Sequence, residues 1–181
     1  MLNLRSGIKS KALNYFFLNE EKSIYINELA RLISADPMNL YRSLIKLEGE
    51  GLLLSEFRGK ERYFLSNKKN PLYKNYKEIF LKTHGLEAML KDVLKKVKGL
   101  EEAFIYGSYA ADGFDNYSDI DIMAVGSHSA IELNRALSVL QKETGRQINA
   151  VSYSRAEYEK RKKKKDPFIC GVLKKKKIKV I

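Results

Sequence analysis

One stretch of the sequence, residues 104–125, constrains the fold more than any other, because two apolar runs flank a polar segment. That pattern predicts two strands joined by a turn. Gly107 lets the backbone approach a ligand closely, and the Ser108 hydroxyl can join backbone N–H groups in holding a phosphate. Asp119 and Asp121 are two residues apart and therefore project from the same face of a strand. Two carboxylates facing a phosphate-holding turn suit Mg²⁺ and predict phosphoryl or nucleotidyl transfer chemistry.

The order Gly-Ser, ten residues, Asp-x-Asp resembles the nucleotidyltransferase fold of the DNA polymerase beta superfamily, above all the minimal nucleotidyltransferases of archaea and bacteria. The resemblance implies that Asp119 and Asp121 are the catalytic residues and the ligands of a Mg²⁺ cofactor. It also implies that Gly107, Ser108 and Ser118 bind a nucleoside triphosphate, as ligand or as substrate. The alternative is a β-hairpin in which Ser118 and Asp119 only close a turn.

Two positions depart from the active enzymes of that superfamily. Their third carboxylate, which helps to bind metal and activates the attacking hydroxyl, is matched here by Asn149. An asparagine offers a neutral carbonyl and an NH₂ donor, and it cannot act as a base. Ala111 stands where the minimal enzymes often carry arginine beside the Gly-Ser turn. The resemblance therefore predicts a site that binds Mg²⁺-nucleotide and leaves transfer activity open.

The N-terminal part of the chain carries the signals of three helices. Residues 5–18 predict an amphipathic helix, and a short second helix follows residues 25–27. Asp36 can cap a third helix, and Pro37 suits the first position of that helix. The third helix has one apolar stripe at the spacing i, i+4, i+7, formed by Leu40, Leu44 and Leu47.

Two strand-like runs, residues 52–57 and 61–65, flank a basic turn and predict a hairpin after the third helix. This series is typical of a winged helix-turn-helix, and residues 26–63 resemble the small winged regulators of the ArsR and MarR kind. The resemblance implies that residues 36–50 enter the major groove of DNA. The implied DNA contacts are Asn39, Tyr41, Arg42, Ser43 and Lys46 of the helix and Arg58 and Lys60 of the hairpin. Winged domains also serve as protein-binding modules, which is the alternative.

The sequence predicts an α+β chain with three parts. Residues 1–68 form the winged helix-turn-helix, and residues 69–98 form a helical linker whose apolar stripe suits a core or a dimer contact. Residues 99–181 form a nucleotidyltransferase-like mixed β-sheet with flanking helices. A helix is predicted over residues 128–144. The residues expected on its buried side are Ile131, Ala136, Leu137, Val139 and Leu140. The segment Pro167–Ile169 is expected to pack against the sheet.

The net charge of +12 is concentrated at the C-terminus and favours a polyanionic partner. Residues 155–181 contain twelve Lys/Arg and three Asp/Glu, which gives a net charge of +9. Residues 1–68 contain eleven Lys/Arg and eight Asp/Glu, which gives a net charge of only +3. The single cysteine, Cys170, excludes an internal disulfide framework and fits a reducing cytoplasm. The sequence has no secretory signal and no apolar run of about 18 residues, so it predicts a cytoplasmic protein without a membrane partner.

We favour the first of three functions on these residues, and the other two stay open as alternatives. The first is a DNA-binding regulator, as a homodimer on palindromic sites, whose second domain binds Mg²⁺-nucleotide. The second is an active, antitoxin-like nucleotidyltransferase that transfers a nucleoside monophosphate to a protein, an RNA or a small molecule. The third is a protein-binding scaffold without a ligand.

Overall fold

The computed structural model describes residues 7–111, 113–115 and 117–181. The chain forms two compact units of mixed α+β structure. The first comprises the described residues up to Ala88 together with Lys142–Gly145, and the second comprises Met89–Gln141 and Arg146–Ile181. Within the described ranges, no helix is both long and apolar enough to cross a membrane.

In the first unit, helices pack with a small antiparallel sheet. In chain order the described elements are α1 (Gly7–Leu18), β1 (Ile24–Tyr25), α2 (Ile26–Leu32), α3 (Pro37–Gly49), β2 (Leu53–Arg58), β3 (Glu61–Ser66) and α4 (Tyr73–Thr83). The sheet has the order β1-β3-β2, and the predicted hairpin is confirmed, with Arg58 paired to Glu61 across its turn.

Helix α1 is the centre of this unit rather than an amphipathic helix on its surface. Every residue from Ala12 to Leu18 is buried, because α3, α4 and β3 all contact the helix. Amphipathicity was therefore the wrong expectation for the second half of α1. In the first half, the buried Lys9 ammonium is satisfied by both carboxylate oxygens of Glu50, at 2.8 and 2.9 Å.

Helix α3 forms as its sequence predicts. Asp36 Oδ1 accepts a hydrogen bond from the Asn39 N–H at 2.9 Å, and Pro37 occupies the first turn. The residues of the apolar stripe, Leu40, Leu44 and Leu47, are all fully buried. Each such leucine contributes about 1.5–3 kcal/mol to folding, which fixes the face that α3 leaves in solvent.

Arg62 holds the hairpin against α3. Its guanidinium donates to Glu48 Oε2 on α3 at 2.7 Å and to Ser55 Oγ on β2 at 2.9 Å. The same group lies over the Phe64 ring, 5.3 Å from its centroid. Arg62 therefore links the helix to the hairpin, and Ser55 Oγ adds a direct hydrogen bond to Glu48 Oε1 at 2.5 Å.

The second unit contains a four-stranded mixed sheet in its described residues. The elements that follow α4 are α5 (Leu86–Leu94), β4 (Leu100–Tyr106), β5 (Ile120–Gly126), α6 (Ala130–Thr144), β6 (Ile148–Tyr153), α7 (Arg155–Lys163), α8 (Pro167–Lys174) and β7 (Ile178–Lys179). The strand order is β6-β5-β4-β7, with β5 and β6 parallel and the other pairs antiparallel. Strand β5 is buried along nearly its whole length, as a central strand with both faces covered should be.

The predicted buried side of helix α6 is confirmed at Leu137 and Leu140 and wrong at Ile131 and Val139. The buried apolar residues of α6 are Leu133, Leu137 and Leu140, at i, i+4 and i+7. Ile131 and Val139 were wrongly expected in the core and are 81% and 57% exposed. Both lie off the 133–137–140 stripe, and an apolar residue can remain in solvent without a functional reason.

The segment expected to pack against the sheet is a helix of its own, α8. Asp166 caps it by accepting from the N–H groups of Phe168 and Ile169 at 3.0 and 3.1 Å. Ile169 and Val172 pack in a core cluster with Met123, Val125, Tyr153 and Tyr158. Packing is thus confirmed for Ile169, whereas Phe168 stays 41% exposed.

Candidate functional site

The ends of three neighbouring strands bring the predicted carboxylates together with Asn149. Asp121, near the start of β5, pairs with Tyr106 at the end of β4 and with Asn149 on β6. Asp119 lies immediately before β5, and its Oδ2 accepts a hydrogen bond from Asn149 Nδ2 at 3.1 Å. Directly paired residues share a face of the sheet, so Tyr106, Asp121 and Asn149 lie on one side of it. Asp119 joins this group through its hydrogen bond with Asn149.

The pKa of Asp121 is raised by the surroundings of its carboxyl group. Its partial burial raises the pKa of the carboxyl above the usual range, and the neighbouring charge of Asp119 raises it further. A hydrogen bond from the Asn149 side chain acts in the opposite direction and stabilises the ionised form. The Asn149 NH₂ therefore offsets part of the repulsion between the two carboxylates. A bound cation would offset this repulsion more strongly.

Gly107 is required by the packing of Asp121 against the backbone. Its φ is +75°, a conformation that side-chain-bearing residues rarely adopt. A Cβ at this position would lie 2.5 Å from Asp121 Oδ2. The sequence predicts that Gly107 admits a ligand, and the structure adds a second reason for glycine, which is room for the carboxylate.

The two serines predicted to bind phosphate, Ser108 and Ser118, differ in their hydrogen bonding. The Ser118 hydroxyl donates to Asp115 Oδ1 at 2.7 Å, and this bond lowers the pKa of Asp115. Among the described residues, the Ser108 hydroxyl has no hydrogen-bond partner and lies half-buried beside Gly107. Ser108 is thus the serine available to a phosphate, while Ser118 is engaged in shaping the loop.

Arg146 anchors this loop, and sequence reasoning did not identify it. The side chain is buried, and its guanidinium donates to the backbone carbonyls of Asp115 and Ser118 at 2.8 and 3.3 Å. It also lies over the Phe114 ring, 4.8 Å from the centroid. No periodic pattern marks a single arginine before a strand, so the sequence carries no signal for this role.

An aromatic pair borders the carboxylates and was also not predicted. Tyr106 makes an edge-to-face contact with Phe168, with the ring centroids 5.8 Å apart. Burial raises the pKa of the Tyr106 hydroxyl, and the nearby charge of Asp121 adds to the effect. The hydroxyl therefore stays protonated and can donate a hydrogen bond beside the carboxylates.

The residues of the site fit Mg²⁺ brought by a nucleotide. Within the described residues, no group of three or more His, Cys, Asp or Glu side chains converges. Mg²⁺ is usually held by one or two carboxylates together with substrate phosphates, and Asp119 and Asp121 supply that number. Asn149 would need to turn its carbonyl oxygen toward the metal to serve as a third ligand.

The predicted DNA-contacting residues are mostly exposed in the first unit. Asn39, Tyr41, Arg42 and Lys46 project from α3, and Lys60 lies in the hairpin turn. Ser43 is half-buried and donates to the Asn39 carbonyl at 3.0 Å.

Arg58 is less free than its exposure suggests. The guanidinium forms an ion pair with Glu56 and lies over the Tyr63 ring, 4.6 Å from its centroid. The Glu56 carboxylate would therefore compete with a phosphate for the Arg58 guanidinium.

Residues 86–180 match the family model described as "Nucleotidyltransferase domain". A solved structure of a proposed nucleotidyltransferase from Sulfolobus solfataricus is similar at 20% identity, over 41% of this chain and 68% of that chain, with a TM-score of 0.29. At that TM-score the likeness supports no conclusion about this chain. The comparison with curated proteins found no match. Since the family model covers more than half of the 181 residues, the chain belongs to the nucleotidyltransferase domain family.

Proposed function

We propose that the protein is a DNA-binding regulator whose nucleotidyltransferase domain binds Mg²⁺-nucleotide. The observation that carries the nucleotide-binding part of the proposal is the convergence of Asp119, Asp121 and Asn149 beside the Gly107-Ser108 turn. Two carboxylates and an uncommitted hydroxyl are what a metal-bound triphosphate requires. Bound Mg²⁺ would supply charge neutralisation to the phosphates.

In this proposal, each side chain of the site has a defined task. Asp119 and Asp121 hold the metal, and Ser108 with the backbone N–H groups of its turn holds a phosphate. Arg146 keeps the loop in place through the carbonyls of Asp115 and Ser118. Gly107 leaves room for the Asp121 carboxylate.

Asn149, which stands at the position of the third carboxylate in active enzymes, favours binding over catalytic turnover. Asn149 cannot take a proton from an attacking hydroxyl, and its NH₂ already donates to Asp119. The site therefore has two carboxylates for binding and no general base at that position.

We propose that the first unit is a winged helix-turn-helix. The order α1-β1-α2-α3-β2-β3, with a two-residue turn between β2 and β3, supports this proposal. So does the Arg62 network, which holds the hairpin against α3. Helix α3 would enter the major groove, and a homodimer would place two such helices on a palindromic site.

The regulator proposal is tested by duplex binding with and without nucleotide. A duplex selected from a random pool is titrated with protein at fixed salt, in the presence and absence of ATP with Mg²⁺. We expect Arg42→Gln and Lys46→Gln to weaken binding by about tenfold, whereas Lys91→Gln, an exposed lysine on α5, should not. Unchanged affinity in the α3 variants, or no response to saturating nucleotide, would contradict the proposal.

The second candidate function is nucleotidyl transfer to a protein, an RNA or a small molecule, and the two retained carboxylates favour it. In that reaction an acceptor hydroxyl oxygen bonds to the α-phosphorus, the bond to pyrophosphate breaks with its electrons, and the hydroxyl proton passes to water. Incorporation of α-labelled nucleotide that Asp121→Asn abolishes would establish it. The absence of label on any cellular fraction would leave binding as the function of the site.

A further inference from the structure

The surface around α8 combines exposed lysines with one exposed aromatic ring. We call the α8 surface the group formed by Phe168 with Lys163, Lys164, Lys174 and Lys175, all of which are exposed. Two of the lysines precede the helix and two follow its last buried turn, so they stand at its opposite ends. A helix of this length spans about 12 Å, which equals three to four nucleotides of a stacked strand.

The positive charge of this surface is not neutralised by its neighbours. The acids closest in sequence are Glu157, Glu159 and Asp166. Glu157 and Asp166 form ion pairs with Arg161 at 2.9 and 3.4 Å, and Glu159 forms one with Arg155 at 4.0 Å. In the part of the chain that the structure describes, no ion pair involves Lys163, Lys164 or Lys175. The net charge of +9 over residues 155–181 therefore produces a field that attracts polyanions.

Phe168 gives the surface a feature that a simple polyanion site does not need. The ring is 41% exposed, and its edge-to-face contact with Tyr106 fixes its orientation. Proteins that bind single-stranded nucleic acid combine a basic path for the phosphates with aromatic rings on which bases stack. A duplex would not offer its bases to such a ring.

The second lysine run also leads toward the candidate site. Ile178 and Lys179 of β7 pair antiparallel with Ile105 and Phe104 of β4. The residues before Ile178 therefore lie toward the Tyr106 end of β4, where the Gly107 turn begins.

We propose that the α8 surface binds a single-stranded polynucleotide, with the lysines on its phosphates and one base stacked on Phe168. The strand would pass beside the carboxylates, because Phe168 contacts Tyr106 and Tyr106 pairs with Asp121. This inference goes beyond the proposed function and does not require the nucleotide site to be occupied.

The test is fluorescence anisotropy of labelled strands of roughly twelve nucleotides, as RNA and as DNA of one sequence, with the full chain and without nucleotide or Mg²⁺. The triple variant Lys163→Gln/Lys164→Gln/Lys175→Gln should make the dependence of log affinity on log salt less steep by about 2, because three phosphate contacts are lost. The control is Lys91→Gln/Lys95→Gln/Lys96→Gln, which removes equal charge from exposed positions of the same unit and should retain the slope.

Phe168→Leu keeps an apolar side chain against Tyr106 and removes the stacking face. It should weaken strand binding about fivefold or more, whereas Phe168→Tyr should bind like the wild type. Equal behaviour of the two triple variants would overturn the proposal. So would wild-type affinity in Phe168→Leu, because the surface would then attract any polyanion.

The RNA and DNA arms distinguish which polynucleotide the surface prefers. Asp119→Ala/Asp121→Ala should still bind the strand, so a failure of the nucleotide site and a failure of the α8 surface give separate results. Thermal melting of every variant checks that each one is folded.

Discussion

Replacing Gly107 by alanine tests whether the backbone at the turn and the Asp121 carboxylate are matched to each other. The new Cβ would lie 2.5 Å from Asp121 Oδ2, which is closer than unbonded carbon and oxygen atoms approach. The carboxylate must therefore move, and the backbone must hold a φ of +75° with a side chain attached.

The magnitude follows from these two effects. A left-handed backbone costs a side-chain-bearing residue about 1–2 kcal/mol, and the loss of unfolded-state entropy in alanine returns about 0.4–1 kcal/mol. With the added cost of displacing Asp121, we expect the free energy of unfolding to fall by about 1–2 kcal/mol. Affinity for Mg²⁺-nucleotide should fall by about tenfold or more, because a carboxylate of the site has moved.

Gly113→Ala is the matched control in the same loop. Among the described residues, the nearest neighbour of a Cβ at this position would be the Ser108 carbonyl oxygen, at 4.0 Å. Urea unfolding and calorimetric titration of nucleotide with Mg²⁺ should therefore give values close to the wild type. Nucleotide binding by Gly107→Ala equal to that of the control would refute the packing argument.

Three further changes give separate expectations. Because burial raises the pKa of Asp121 above 3.8, the wild type loses stability relative to Asp121→Asn as the pH rises above that value. In a chelating buffer, the variant should thus unfold at higher urea near pH ~7, and the advantage should vanish below pH ~3.8. Asn149→Asp adds a third carboxylate, so it should lower the free energy of unfolding by about 1–3 kcal/mol without metal, and added Mg²⁺ should restore the melting temperature. Arg146→Met removes hydrogen bonds to two loop carbonyls and should cost about 2–3 kcal/mol in urea unfolding, whereas the exposed Arg135→Met on α6 should cost under about 0.5 kcal/mol.

Local signals in the sequence were sufficient where one element decides its own structure. Asp36, Pro37 and the stripe of α3 predict the helix start and its buried face, since capping and 3.6-residue periodicity act within a single helix. The Gly107-Ser108 turn and the two aspartates were likewise recognisable, because turn chemistry and strand alternation coincide there. The roles predicted for them in binding metal and nucleotide stay predictions.

Features that depend on packing between elements were not predictable. Arg146 reads as one more cation in a basic sequence, and only the fold shows that it is buried against the carbonyls of Asp115 and Ser118. Helix α8 is short and enclosed by lysine runs, so its sequence shows too few turns to reveal a period. Ile131 was assigned to the core of α6 because apolar character alone does not say which face meets the sheet.

Calorimetric titration measures directly whether Asp119 and Asp121 form a Mg²⁺-nucleotide site. ATP, CTP, GTP and UTP with Mg²⁺ are titrated into the wild type and into Asp119→Ala/Asp121→Ala. We expect the wild type to bind at least one of the four nucleotides and the double variant to bind none. No binding by the wild type, or equal binding by the variant, would contradict it.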